Sequence, residues 1–201
     1  MLHIFLSNRL DDVRPGTVGK PVPGYEVRIC DETGADVPSG TVGDLFVRGP
    51  SAAKHYWAQR DKSRNTFQGH WTRTGDKFSV DADGYYTYEG RADDMLKVSG
   101  IYVSPIEVES TLVSHASVLE AAVVGCADDT GLVKPFAFIV TKKDCKADQA
   151  LVDELQAFVK ARLAPYKYPR WIEFVEELPK TATGKLQRFK LRERAHATRT
   201  G

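Results

Sequence analysis

No apolar run in the 201 residues approaches the roughly 20 that a membrane-spanning helix needs, so the sequence offers no candidate span. Cysteine is scarce. Cys30, Cys126 and Cys145 are odd in number and far apart, and no cysteine or histidine pairing has zinc-ligand spacing. A disulfide framework and a structural zinc site are therefore not expected, and a reducing, cytoplasmic setting fits best. Charge of one sign is also missing. The formal net charge is +1, which removes any global argument for nucleic acid or an anionic membrane as partner. The Gly-x-x-x-x-Gly-Lys-Ser/Thr spacing of a Walker phosphate loop is absent. The opening Met1-Leu2-His3-Ile4-Phe5-Leu6 lacks a basic lead and a long apolar stretch, so no secretory leader is expected. There is no internal repeat and no low-complexity segment.

What is present is an ordinary globular composition, 42% hydrophobic and 27% charged. The first half reads as strand and turn. Tyr25–Ile29 alternates polar and apolar residues, and Asp44–Arg48 is a second strand ended by Gly49-Pro50. Lys54 to Phe67 is charged and irregular, with room for a short helix. Asp81-Ala82-Asp83-Gly84 predicts a hairpin turn between Trp71–Phe78 and Tyr85–Tyr88.

From Asp93 the pattern changes. Met95–Val98 reads as a strand. Ser104-Pro105-Ile106-Glu107 predicts a helix start, with Ser104 as N-cap, Pro105 at the first helical position and Glu107 completing a capping box, and the helix should run to about His115. Leu119–Gly125 and Phe136–Val140 read as buried strands. Leu151, Leu155, Phe158, Val159 and Leu163 have the spacing of a long amphipathic helix stopped by Ala164-Pro165. Trp171–Val175 reads as a strand and Leu186–Ala195 as a basic final helix. The expected fold class is α+β: a β-rich unit over residues 1–92, then a compact α+β unit over 93–201, large enough to bury its own core. The polar link Arg91-Ala92-Asp93-Asp94 carries no apolar anchor and can absorb a large backbone rotation.

Three short segments can carry chemistry. Asp76 follows Thr74-Gly75 after a strand-like stretch; it can accept two hydrogen bonds from a cis-diol such as ribose, or simply cap a turn. Arg91 is a five-donor fork that can hold ribose or phosphate oxygens, or pair with Asp93 or Asp94. Lys185 ends the Pro-opened, Gly-containing stretch Pro179–Lys185 on a mobile loop. Its ammonium can reach a carboxylate and an α-phosphate together, or remain a solvated loop lysine. Lys167, Arg170, Arg188, Lys190, Arg192 and Arg194, interleaved with Tyr166, Tyr168 and Phe189, form a basic region. It reads as a dock for the phosphates and adenine of a coenzyme or as a solvated helix face, the latter favoured for Arg192 and Arg194.

In order, these features resemble the acyl-CoA synthetases of the adenylate-forming superfamily. Gly43–Pro50 is similar to the family's Gly-Glu-Leu strand segment, Trp71–Asp76 to its Thr-Gly-Asp ribose motif, Gly90–Gly100 to its hinge motif, and Pro179–Arg188 to its catalytic-lysine motif. The opening Met1–Asn8 with Gly19–Tyr25 looks like the benzoate-CoA ligase group. The resemblance implies the C-terminal part of an enzyme that activates an aromatic acid with ATP and passes it to coenzyme A. Asp76 would hold the ribose hydroxyls, Arg91 would support them, Asp93 would be the hinge pivot and Lys185 would serve adenylation only. Gly100 would line the pantetheine tunnel, where a side chain would block it. Tyr166, Lys167 and Arg170 fall where coenzyme A contacts are expected, and His3 and Ile4 where an aromatic acid would be touched. Tyr102 stands where the family more often has Arg, and no role is assigned to it.

Mg²⁺ is expected with ATP in the complete enzyme, held by phosphates and by residues outside this sequence, so no metal ligands are named. The family's phosphate loop and the Thr-Glu that precedes the position of Met1 are absent. The chain is therefore expected to be a fragment, inactive alone. Two other readings stay open. One is an adenylation protein that loads a carrier protein. The other is a non-catalytic module whose Lys185 is a target of a lysine acyltransferase, which would remove its charge.

Overall fold

The computed structural model describes residues 3–143 and 145–200. The chain divides into two compact units, one ending at Asp93 and the other beginning at Asp94. The fold is α+β.

In the first unit, β1 (Leu6–Ser7) and β2 (Lys20–Pro21) form a small antiparallel ladder. The main sheet holds β3 (Glu26–Cys30), β4 (Gly43–Arg48), β5 (Phe67–Gln68), β6 (Trp71–Val80) and β7 (Tyr86–Arg91), all paired antiparallel. β6 is the central strand, with β4 on one edge and β5 and β7 sharing the other. The charged Lys54–Phe67 stretch contains one short helix, α1 (Arg60–Thr66), with no buried residue. Ile29, Leu45, Val47, Phe78 and Tyr86 make the core, against which Phe5, Val18, Tyr25 and Val80 pack. The Asp81–Gly84 turn forms as its residues dictate. The Asp81 carboxylate accepts the N–H groups of Asp83 and Tyr85, and Gly84 takes φ +82°.

The second unit opens with a hairpin of β8 (Leu96–Val98) and β9 (Ile101–Val103). Its turn residues Ser99 and Gly100 both have positive φ, 50° and 84°, as a two-residue turn that matches strand twist requires. α2 (Pro105–Val113) follows, with Ser104 Oγ accepting the Glu107 N–H. β10 (Val118–Ala127) and β11 (Val133–Thr141) are antiparallel. α3 (Gln149–Lys160) then crosses over to β12 (Trp171–Phe174), which pairs parallel to β11. α4 (Arg188–Thr200) is last.

Both faces of this three-stranded sheet are covered, which is why its strands read as near-continuous apolar runs. Val123, Ala137 and Ile139 pack with Val108, Leu112, Leu151, Leu155 and Val159. Ala122, Val124, Phe136 and Phe138 pack with Leu178, Leu191 and Ala195.

Four boundaries differ from the sequence expectation. α2 stops at Val113 rather than near His115, capped by Ser114. α3 ends at Lys160, not Leu163, because Ala164 before Pro165 is held extended and the chain turns ahead of it. α4 begins two residues late because Leu186 is bridged to Lys180, and it runs past Ala195. Arg91 is not part of a free link: it closes β7 opposite Asp76, and the next N–H, of Ala92, donates to Gly75 O at 3.0 Å.

Candidate functional site

Within the first unit, the candidate site is a bulge in β6. Asp44 pairs with Lys77 and Phe46 with Arg73, so one residue of β4, Leu45, faces Thr74, Gly75 and Asp76 of β6. Gly75 accommodates the kink with φ +79°, and a Cβ there would sit 3.3 Å from Arg91 Nη2. The Thr74 hydroxyl donates to Leu45 O at 3.2 Å and accepts the Asp76 N–H at 3.1 Å. The bulge therefore carries Asp76 at a fixed place beside the end of β7. There Arg91 Nη1 lies 3.2 Å from Asp76 Oδ1 and Arg91 Nε 3.5 Å from Asp93 Oδ1. Burial pushes the Asp76 carboxyl above its ordinary pKa, against the opposing pull of Arg91 and Thr74. Tyr56, Lys62, Thr74, Gly75, Arg91 and Asp93 line an open cleft of about 530 Å³. Of the two sequence readings of Arg91, the structure shows the ion pair with Asp93, and it adds a contact with Asp76.

A buried ion pair staples the bulge from behind. Lys77 Nζ is 3.0 Å from Asp44 Oδ1, with side chains 5% and 3% exposed, and Arg73 Nη2 is 2.7 Å from Asp44 Oδ2. The two cations flank the bulge on the same strand and converge on one carboxylate. Sequence reading missed this device and also missed Tyr56. Asp44 was read only as a strand residue, and nothing local marks Lys77 as its partner.

His3 and Ile4 lie at the edge of the same unit. The His3 ring stacks on Tyr25 with centroids 5.6 Å apart, and Ile4 is exposed.

The other candidates lie in the second unit. Lys185 is exposed at the end of a tight turn rather than on a loose loop. Thr181 N–H donates to Lys185 O at 2.8 Å, Gly184 N–H to Thr181 O at 2.9 Å, and Lys185 N–H to Thr181 Oγ1 at 3.1 Å. Gly184 has φ +80°, which explains the glycine. At Gly100 an added Cβ would meet nothing within 4 Å in this unit, so the local demand for glycine there is the backbone conformation.

Tyr166 and Lys167 lie on a single 3₁₀ turn, Pro165–Lys167, close in sequence to Arg170. Lys167 Nζ is held by both Glu107 oxygens, at 2.6 and 2.7 Å, and Arg170 Nη1 donates to the Tyr168 hydroxyl at 2.7 Å. The basic run of the sequence is not a basic face. Arg188 pairs with Glu109, Arg192 with Asp94, and Arg194 with Glu173. Acids remote in sequence thus pair with all three arginines, in keeping with the solvated-face reading favoured for Arg192 and Arg194.

Comparison with known proteins gives the chain its relatives. Residues 107–185 match the AMP-binding enzyme C-terminal domain, and residues 1–57 match the AMP-binding enzyme model. The benzoate-CoA ligase of Thauera aromatica is 63% identical over 96% of this chain, and the 4-hydroxybenzoate-CoA/benzoate-CoA ligase of Rhodopseudomonas palustris is 55% identical over 96%. The chain spans 37% and 36% of the lengths of those two relatives. Among solved structures, the anthranilate CoA ligase AuaEII in complex with anthranoyl-AMP is 55% identical with a TM-score of 0.91, over 99% of this chain and 39% of that one. A benzoate CoA ligase from Burkholderia xenovorans LB400 is 61% identical with a TM-score of 0.86, over 95% of this chain and 38% of that one. The chain thus carries AMP-binding enzyme sequence together with that family's C-terminal domain, and it aligns with little more than a third of each ligase it resembles.

Proposed function

We propose that this chain serves an ATP-dependent ligase that converts an aromatic carboxylic acid of the benzoate type, through an acyl-adenylate, to its coenzyme A thioester. The observation that carries this reading is the Thr74–Asp76 bulge, which sets a half-buried carboxylate and a guanidinium together beside an open cleft. Arg91 takes Asp76 Oδ1, which leaves Oδ2 for a ribose hydroxyl. A carboxylate that accepts hydrogen bonds from hydroxyls fits a nucleotide's sugar. ATP supplies the adenylyl group, and the chain's own residues orient it and balance charge. Asp76 accepts from the ribose diol, Arg91 keeps that carboxylate in place, and the Lys185 ammonium offsets negative charge as the acid attacks phosphorus.

In the same proposal residues 1–92 are the end of the large adenylation domain and 93–201 its mobile C-terminal domain. Asp93 is the pivot, and Gly100, Tyr166 and Arg170 face coenzyme A. Lys167 joins them only if it leaves Glu107. His3 and Ile4 touch the aromatic acid. Mg²⁺ arrives with ATP in this proposal, held by its phosphates and by residues outside this sequence. A reducing cytoplasm is the proposed location. Lys185, being exposed, is also accessible to an acylating enzyme.

The test is calorimetric titration of the chain with AMP. Wild type should bind and Asp76→Ala should not, whereas equal binding by the two would remove Asp76 from the site. The raised pKa of Asp76 adds a sign. The carboxylate must be ionised to accept from the diol, so affinity should fall on acidification, beginning at a higher pH than for an ordinary carboxylate. Asp76→Asn, which removes the buried charge, should abolish AMP binding without lowering Tm at pH 7. A loss of Tm equal to that of a core variant would make Asp76 a structural residue.

A further inference from the structure

We propose that Arg188 is the positioning residue for Lys185, and that it ties the Lys185 turn rigidly to the start of the second unit at Asp94. The proposal rests on the reading of Lys185 as the adenylation lysine. The turn is internally stiff, so where the ammonium lies depends on what fixes the two legs. The legs are joined by the Lys180–Leu186 bridge and by the Gln187 N–H donating to Pro179 O at 2.8 Å. On the first leg the polar tie is Lys180 Nζ to Glu120 Oε2 at 2.6 Å, with side chains 42% and 41% exposed. Such a pair holds weakly.

The second leg is different. Arg188, the residue after Gln187, has a side chain 15% exposed and directs its guanidinium at Glu109, Val123 and Asp94. Nη1 and Nη2 grip the two Glu109 oxygens at 2.5 and 2.9 Å, Nη1 also donates to Val123 O at 2.9 Å, and Nε lies 3.6 Å from Asp94 Oδ2. Glu109 Oε1 in turn accepts the Val123 N–H at 2.7 Å. Val123 sits on β10, the edge strand, so the ion pair satisfies both of its backbone groups as a neighbouring strand would. Arg192 Nη1 adds a second hold on Asp94 Oδ1 at 3.0 Å.

One guanidinium therefore joins α4, α2, the edge of β10 and the first residue past Asp93. A bidentate fork resists rotation in a way a point charge does not, so lysine cannot replace it. Any backbone rotation at Asp93 that moves Asp94 is then delivered to Lys185 with little slack.

The experiment compares wild type, Arg188→Lys and Glu109→Gln. In the 201-residue chain, ¹⁵N relaxation should show the Lys185 amide falling from a rigid order parameter of about 0.85 toward the flexible range below about 0.6, with Ala122 and Phe138 unchanged. In the complete ligase, both variants should slow pyrophosphate–ATP exchange by roughly 10-fold or more. A displacement of about 1 Å at a reacting group costs on the order of 10²-fold. Transfer from preformed aroyl-adenylate to coenzyme A, and the KM for ATP, should stay at wild-type values.

A Lys185 amide as rigid as in wild type overturns the proposal. So does an equal loss in both half-reactions, which is the signature of general destabilisation. Lys185→Ala is the separate control. If it leaves exchange intact, the reading of Lys185 falls, even where Arg188→Lys loosens the turn.

Discussion

Replacing Lys185 with alanine is expected to slow adenylation in the complete ligase by about 10²–10³-fold, the scale for removing one preorganised charge partner of a transition state. The side chain is exposed, and among the described residues the turn is held by backbone groups and by Thr181 Oγ1. Stability should therefore be unchanged while the rate collapses, and that separation is the diagnostic. Isotope exchange between pyrophosphate and ATP measures the step directly. Lys185→Arg keeps the charge but lengthens and flattens the donor, so only partial recovery is expected. Wild-type exchange in the alanine variant would leave the turn a structural ornament and move the search for the charge partner elsewhere.

The second large effect is on folding. Lys77→Met removes the buried cation and leaves Asp44 facing Arg73 alone. Breaking one side of a buried pair costs about 3–5 kcal/mol, because the remaining charge stays out of water. Arg73, 42% exposed by side chain, keeps its hold on Asp44 Oδ2 but leaves Oδ1, the oxygen that Lys77 faces, without its cation. Urea denaturation read from NMR signals of the first unit should show the loss there and not in the second. Removing both charges, as Asp44→Asn with Lys77→Met, should restore most of the stability, since a neutral pair of similar volume escapes the penalty. A single-variant cost of only a few tenths of a kcal/mol would mean that water reaches Asp44.

The contrast between Lys77 and Lys185 shows what the sequence could reveal. Lys185 stands in a local pattern, where a proline opens the segment and a glycine turns it, so the turn residues were legible, while the backbone bonds that tighten a mobile loop into a turn were not. The same is true of the Asp81–Gly84 hairpin and of the Ser104-Pro105 helix start. Lys77 acquires meaning only when β4 is laid beside β6 in one register, and that register is set by burial of Leu45 and Val47 far from it in sequence. Arg188 reads as one more cation of a basic run until the fold brings Glu109 to it across 79 positions. Arg91 looked like free linker because its partner, Asp76, lies 15 residues back on another strand. Local chemistry could be read; pairings across the sheet could not, because no short-range signal encodes them.

Between the two anchored ends there is almost no free chain. Arg91 is locked in β7, Ala92 donates to Gly75, and Asp94 is gripped by Arg188 and Arg192. Under the proposal that Asp93 is the pivot, two or three torsion angles around it would be the whole articulation. A connection that short would permit an arc and forbid a slide, with downstream atoms travelling on spheres centred near one Cα. It also leaves the chain little entropy to gain by opening. Inserting even a few glycines there would add translation to rotation, and the penalty would fall on the accuracy with which the lysine returns to its place.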